Sequence, residues 1–384
     1  MKTKLTWITD DSFIDCDISI IKYLKKRYSI TWILLFPPSE ARFKKEDFLN
    51  DKELSDIQLE FVTLNFRLRH PKTYFFWFNL SQKVKYTQPD IIYYNGDILL
   101  FNLPFIWTLN KKKLIVTIHE GKITTNNRKV LRLINTSRSL SIPYIKYINC
   151  FSNSQAAYFT EKFKKNRIFI IPLALKDFGQ STKKQIRDDI VFFNFGRILP
   201  KKNIDLLIDA ACNIFDQGYS GFKIAIFGHC DNWEFYEKRI KYPELFIYDI
   251  KQLDNSEIKN LYTQYHYLVL PYKVVSQSGP LKIAFNYNIP VIVSDQPGFT
   301  DEVEEGVNGF IFKTGDVKSL ELVLKKAIDN HENYDNFRNK MKSYTQNNYS
   351  INVIGDKYHE MFDEVNQNNK TIKLKCKHPI NDIF

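Results

Sequence analysis

Short apolar runs rich in Val, Ile, Phe and Tyr recur from one end of the chain to the other, and helical patterns separate most of them. In the first half the runs are KLTWITD, ITWILLF, IQLEFVTL, DIIYYNG, LIVTIHE, INCFSNS and RIFIIPL; in the second they are IVFFNFG, KIAIFG, LFIYDI, YLVLPY and PVIVSD. Buried strands alternating with helices are the pattern of parallel sheets joined by crossover helices, so the expected class is α/β. From Asn203 onward, Ile204, Leu207, Ile208, Ala211 and Phe215 fall on one helical face, a stripe that reads as core. Two more helical segments are expected over 316–346. The stretch KDFGQSTKKQIRDD is polar and has no apolar period, which marks it as linker. The pattern therefore divides the chain into a first domain over 1–178, a linker over 179–189, a second domain over 190–346, a last helix over 347–366 and a mobile basic tail over 367–384. No internal repeat interrupts this order.

Composition changes the picture in two respects. A length of 384 residues with 44% apolar and 26% charged residues fits two globular cores and leaves no room for a largely disordered chain. Charge is uneven: residues 1–189 hold 32 Lys+Arg against 18 Asp+Glu, while residues 190–384 hold 23 against 25. A basic first half suits a phosphorylated substrate, an anionic membrane surface or nucleic acid. Five cysteines are scattered singly, without the paired spacing of a zinc site or disulfide framework, and fit a reducing compartment. The opening MKTKLTWITDD has too short an apolar stretch for a signal peptide, and no run reaches the ~20 apolar residues of a spanning helix. The expected location is cytoplasmic.

In doubly wound sheets ligands bind at the carboxyl ends of strands, and four such places carry chemistry. SQSGPLKIAF follows YLVLPY, so Gly279 falls at the cap of a helix with Pro280 in its first turn. Free amides, a partial positive charge and no Cβ there make an anion site, with the Ser278 hydroxyl as a further donor. FNFGRILPKKN ends a strand at Gly196 and then offers Arg197 and Lys202, a fork and a point charge for a diphosphate. His119 and Glu120 close the strand IVTIHE, where an imidazole can exchange a proton or bond a hydroxyl. The acidic loop DDSFIDCD, containing Asp15 and Asp17, can bind hydroxyls or a metal, although Asp17 reads first as a helix N-cap.

These residues resemble a family. GRILPKKNIDLLIDA is similar to the Gly-Arg-Leu, three residues, Lys-Gly element of glycosyltransferase family 4, with Asn203 in place of the second glycine. IVTIHE resembles that family's strand ending in His-Asp, INCFSNS its strand ending in Ser, and IPVIVSDQPGFTDEVEEGVNGFIF its Pro-Val-Val segment, Gly-Gly-x-x-Glu turn and closing Gly. The paired glutamates of many members are absent; Val275 and Ile283 stand there, and Gln277-Ser278-Gly279 resembles a subset in which Ser and Gly face the diphosphate. The glycine-pair turn reads Pro297-Gly298, with Asp301 as its acid.

The resemblance implies a GT-B architecture: two Rossmann-like domains facing across a cleft, with the last helix crossing back to the first. It implies retaining transfer from a nucleoside-diphosphate sugar, with Arg197, Lys202, Gln277, Ser278 and Gly279 on the diphosphate and His119 on sugar hydroxyls. Gly228, Ile250 and Asp301 are candidates for the donor sugar or base, and Asp15, Asp17, Glu120 and Arg128 for the acceptor. No cofactor and no metal are expected, since fixed cations and amides replace one. The expected acceptor is a saccharide or lipid-linked saccharide of cell-surface polysaccharide or lipopolysaccharide synthesis. The run KTYFFWFNL and the cations Lys122, Arg128, Lys129, Arg132 and Arg138 suit peripheral contact with an anionic membrane. A GT-B epimerase or phosphorylase would share the fold. A nucleic-acid-binding protein would use the basic half alone and leave GRILPKK and SQSG unexplained, so nucleic acid is not the expected partner.

Overall fold

A computed structural model of the chain describes residues 2–37, 43–65, 70–120, 128–186 and 188–375. Two compact units result, Met1–Ala174 with Ile351–Phe384, and Leu175–Ser350.

The first unit holds strands β1 (Thr3–Asp10), β2 (Tyr28–Phe36), β3 (Gln58–Thr63), β4 (Ile91–Asn95), β5 (Leu114–Thr117), β6 (Tyr147–Cys150) and β7 (Arg167–Ile170). Their order is β3-β2-β1-β4-β5-β6-β7, and every pairing is parallel. Because helices cover both faces, the central strands are buried and mostly apolar, with Leu5, Trp7, Ile8, Ile115 and Val116 fully buried beside a few buried polar residues such as Thr9 and Asn95.

The second unit holds β8 (Ile190–Phe195), β9 (Phe222–Phe227), β10 (Phe246–Asp249), β11 (Tyr267–Leu270), β12 (Val291–Ser294) and β13 (Gly309–Phe312). The order β10-β9-β8-β11-β12-β13 is again all parallel. Both sheets reverse strand order once, between β1 and β4 and between β8 and β11, and ligand crevices in such sheets open outside the strand ends at that reversal. The helix Ile204–Asp216 buries Ile204, Leu207, Ile208 and Ala211 in this unit's core, with Phe215 packed at its edge.

All twelve expected strands form. β13 was not expected: GFIF is only four residues, and its place at the sheet edge comes from pairing with β12. The polar stretch after Leu175 has no helix or strand among its described residues, yet it is tied to the second unit, with Ser181 Oγ donating to Asn260 Oδ1 at 2.6 Å and Ile186 N donating to Gln264 O at 3.0 Å. The last helix, expected over 347–366, runs over Ile351–Lys375, so residues 367–375 are helix rather than mobile tail. No Pro or Gly occurs between Gly355 and Lys375 to stop it. Residues 376–384 lie outside the described residues.

Candidate functional site

At the reversal of the second sheet, β8 ends in Gly196 with φ +123, a backbone conformation that favours glycine. A Cβ on Gly196 would come within 3.7 Å of Pro280 Cγ, so the end of β8 and the start of the helix after β11 meet there. Gly228, at the end of β9, has φ +129, and a Cβ on it would overlap the Gly196 carbonyl oxygen. Its evident task is thus to let two chain segments pass.

After Arg197 and Ile198 the chain makes one 3₁₀ turn, Pro200–Lys202, and Asn203 then takes the left-handed conformation, φ 56 and ψ 40. Asn is among the few side chains that tolerate this region, which explains why it can stand where the resembling motif has glycine. The turn is tied across the reversal by Lys273 N donating to Lys201 O at 2.9 Å. Lys202 Nζ lies 3.5 Å from the ring centroid of Tyr272, which is itself buried. Burial, and secondarily Lys201, pushes the Lys202 amine down to about 7. Arg197 is 64% exposed and forms an open pair with Asp231, Nη2 to Oδ2 3.3 Å, a contact weak enough to exchange for a phosphate.

The helix Gly279–Asn286 starts beside this turn. Its N-cap is Ser278, not Gly279 as expected: the buried Ser278 Oγ accepts from Leu281 N at 3.3 Å. Ser caps because its side chain substitutes for a missing helical acceptor, a role glycine cannot fill. Gly279 has ordinary backbone; what matters there is space, since a Cβ would sit 3.4 Å from Lys176 Nζ. Lys176, from the segment entering this unit, is a third cation at the helix start and was not among the expected site residues. Its sequence signal is only a lysine opening a polar stretch. Gln277 Nε2 is a buried donor with no hydrogen-bond partner among the described residues. Gly298 packs under the loop before Ser278, where a Cβ would meet Val275 O at 2.6 Å. Asp301 is partly buried, whereas its neighbour Glu302 is buried in an ion pair with Lys282. Ile250 packs, partly buried, against the core.

In the first unit, His119 follows β5. Phe13 stacks on its ring, centroids 3.5 Å apart and planes 9° apart, and Gln155 Nε2 donates to its carbonyl at 2.8 Å. His119 Nε2 is 2.6 Å from Asn95 Oδ1, and Asn95 Nδ2 donates to Asp17 Oδ1 at 2.8 Å. Asp17 Oδ2 accepts from Trp7 Nε1 and Thr9 Oγ1, both at 2.7 Å. Asp17 is therefore not an N-cap: it lies inside the helix Ile14–Leu24, 2% exposed, with both oxygens occupied, and it cannot meet an acceptor. Burial in the core raises its carboxyl to about 7 against the pull of those donors. The arrangement ties a buried acid to the imidazole through one amide. In its ionised form Asp17 can only accept from Asn95 Nδ2, which turns the Asn95 oxygen toward His119 and places the ring proton on Nε2.

Of the other expected acceptor residues, Asp15 lies in the first turn of the same helix and accepts from Cys16 Sγ at 3.4 Å. The carbonyl of Glu120 accepts from Arg138 Nη2 at 2.6 Å. Arg128 opens the helix Arg128–Ser141, with its side chain outside the described residues, as is Lys122. Asp10 ends β1 at the reversal of the first sheet, where burial and then Asp97 raise its carboxyl to about 7. Among the described residues no three His, Cys, Asp or Glu side chains form a group that could hold a metal ion.

Comparison with known proteins bears on the family and the fold. Residues 178–347 match the family model of Glycosyl transferases group 1. A glycogen synthase of Thermodesulfovibrio yellowstonii is 23% identical over 204 residues, 52% of this chain but only 38% of that protein's length. Among solved structures, a glycosyltransferase from Rickettsia africae superposes with TM-score 0.71 at 14% identity, covering 95% of this chain and 98% of that one. HepE from Anabaena, in complex with UDP, gives TM-score 0.66 at 14% identity over 95% and 100%. With its two parallel Rossmann-like sheets, the chain has the GT-B fold, and its second unit is similar to the Glycosyl transferases group 1 model over residues 178–347.

Proposed function

We propose that this protein transfers a sugar from a nucleoside-diphosphate sugar to a saccharide or lipid-linked saccharide, retaining the anomeric configuration and needing no metal, in cell-surface polysaccharide or lipopolysaccharide synthesis. The observation that carries the reading is the convergence at the β8–β11 reversal of Lys202, Arg197, Lys176 and the amides of a Ser-capped helix start. In the reaction the bond from the anomeric carbon to the β-phosphate oxygen breaks and its electron pair stays on the diphosphate. The acceptor hydroxyl oxygen bonds that carbon and its proton passes to an oxygen of the leaving diphosphate. Negative charge grows on the leaving oxygens, where prepositioned cations and amides lower the barrier by several kcal/mol per well-placed donor. Gln277 Nε2, unpartnered among the described residues, is a further donor for the same ligand. Gly228, Asp301 and Ile250 are the positions for base or sugar contact. His119 is assigned to sugar hydroxyls.

HepE was solved with UDP, which makes uridine the first base to try. Thermal shifts with UDP-, GDP-, ADP- and dTDP-sugars test the reading, since a ligand at 100 times its dissociation constant adds roughly 2.7 kcal/mol of stability. Arg197→Ala and Lys202→Ala should each abolish that shift and most of the transfer while the fold persists. Turnover should survive excess chelator. A chain that no nucleoside diphosphate stabilises, or that transfers normally with both cations removed, would refute the assignment.

A further inference from the structure

We propose that the first unit carries a docking face for an anionic lipid bilayer, built on the helices Lys72–Tyr86, Leu103–Thr108 and Arg128–Ser141. The inference concerns a partner and does not depend on the donor chemistry.

Charge is the first observation. Residues 67–150 contain 14 Lys+Arg and only 3 Asp+Glu, a surplus of 11 in a chain whose total is +12. Lys72, Lys111, Lys112, Lys129 and Arg132 in this segment are exposed.

The second observation is the apolar surface among those cations. Phe75 is 70% exposed, Tyr144 56%, Trp107 48% and Leu133 47%. Leu133, Trp107 and Tyr144 belong to connected groups, and Phe75 is the helix neighbour of Tyr74. Tyr74, Val130 and Leu133 line one slot of 460 Å³ together with Leu99, Leu100 and Phe101, which joins the helix Lys72–Tyr86 to the helix Arg128–Ser141. Farther along the latter helix, Leu140 O accepts from Trp107 Nε1 at 3.4 Å, and the Trp107 and Tyr144 rings lie 6.0 Å apart. Val130, Leu133 and Leu140 share one face of that helix by their spacing. A continuous strip of aromatic and aliphatic side chains flanked by Lys and Arg is costly in water, and it matches the interfacial zone of a membrane, where rings sit at headgroup level and cations meet lipid phosphates. Among the described residues no helix is long and apolar enough to cross a membrane, so the contact is with the surface.

Vesicle sedimentation of the full chain tests this. Anionic vesicles of phosphatidylcholine with phosphatidylglycerol should bind at least about tenfold more tightly than phosphatidylcholine alone, because a few cations at an anionic surface suffice for that factor. A triple variant, Phe75→Ser, Trp107→Ser and Leu133→Ser, keeps every charge and should lose about tenfold of the binding to anionic vesicles while melting normally. Brominated lipids should quench Trp107, the most exposed tryptophan of the described residues. No binding to anionic vesicles would overturn the proposal. So would binding that the triple variant leaves intact, the mark of charge alone and of a nucleic-acid face. Concentration-dependent self-association abolished by the triple variant, without vesicle binding, would assign the strip to a second copy instead.

Discussion

Lys202 has two opposite dependences on pH. In the folded chain its amine titrates near 7, while in the unfolded chain it returns to the ordinary value of 10.5. Between those values the unfolded chain binds more protons, so this residue makes the fold gain stability as pH rises. A bound diphosphate does the reverse: it favours the ammonium, binding takes up a proton above pH 7, and affinity falls as pH rises, by about tenfold per unit at the limit. We expect donor affinity measured from pH 6 to 9 to decline above 7 in the native chain and to be weak but flatter in Lys202→Met. A flat native profile would mean that Lys202 is not the cation facing the phosphates. Asp17 gives a second prediction at this scale. In Asp17→Asn the new amide oxygen must face Trp7 and Thr9, and its nitrogen then donates to Asn95, which turns over and presents its own NH₂ to His119. The imidazole proton should move to Nδ1, visible in the ¹⁵N shifts of His119, with turnover lowered by about ten- to a hundredfold. Melting should change little, because the variant also removes a buried charge. Unchanged His119 shifts would reduce Asp17 to a structural residue.

At the scale of elements, strands and helices were legible because their apolar periods are strong, as in the helix Ile204–Asp216. β13 was missed because four residues carry no period of their own. The helix start after β11 was legible as a helix start, through Ser278, Gly279 and Pro280, but not in its workings. Lys176 lies 103 positions before Gly279, and nothing local ties the two. Their proximity sharpens the test of this element. Gly279→Ala would press its methyl toward the flexible end of Lys176, a side chain that can yield, so stability should fall by well under the roughly 1 kcal/mol typical of a lost helix cap. Gly279→Val should displace the ammonium and lower donor affinity about tenfold or more, with Ala in between. Ser278→Ala should show the converse, a loss of stability near 1 kcal/mol. Equal stability losses in Gly279→Ala and Gly279→Val, with normal donor affinity, would make Gly279 a mere turn.

For the whole molecule, the last helix is the decisive element. Ile351–Lys375 follows the second unit in sequence, yet it belongs to the first, where Ile354, Tyr358, Met361, Phe362 and Val365 are buried. Tyr358 packs against Trp7, ring centroids 5.5 Å apart, and its hydroxyl is 3.2 Å from that of Tyr93. Arg167 pairs with Glu364 through two contacts of 2.8 and 2.9 Å. Ending the chain at Ser350 strips a face from the first unit's core, and buried side chains of this size are worth about 2 to 5 kcal/mol each. We expect that truncation to abolish the cooperative melting of the first unit while nucleotide still stabilises the second. Retention of both transitions would show the helix to be dispensable.

The sequence by itself determined the twelve principal strands, their division into two α/β units, and the cations and glycines of the proposed diphosphate site, because each is written in a local period or a short motif. Tertiary structure decided that the last helix runs on to Lys375, that Lys176 comes beside the helix start at Gly279, that the end of β9 passes the Gly196 carbonyl at Gly228, and that Asp17 is buried and linked to His119 through Asn95 rather than a cap. Each of these depends on segments far apart in the chain. A side chain's burial and partners are set by what folds against it, and no local pattern of residues records that.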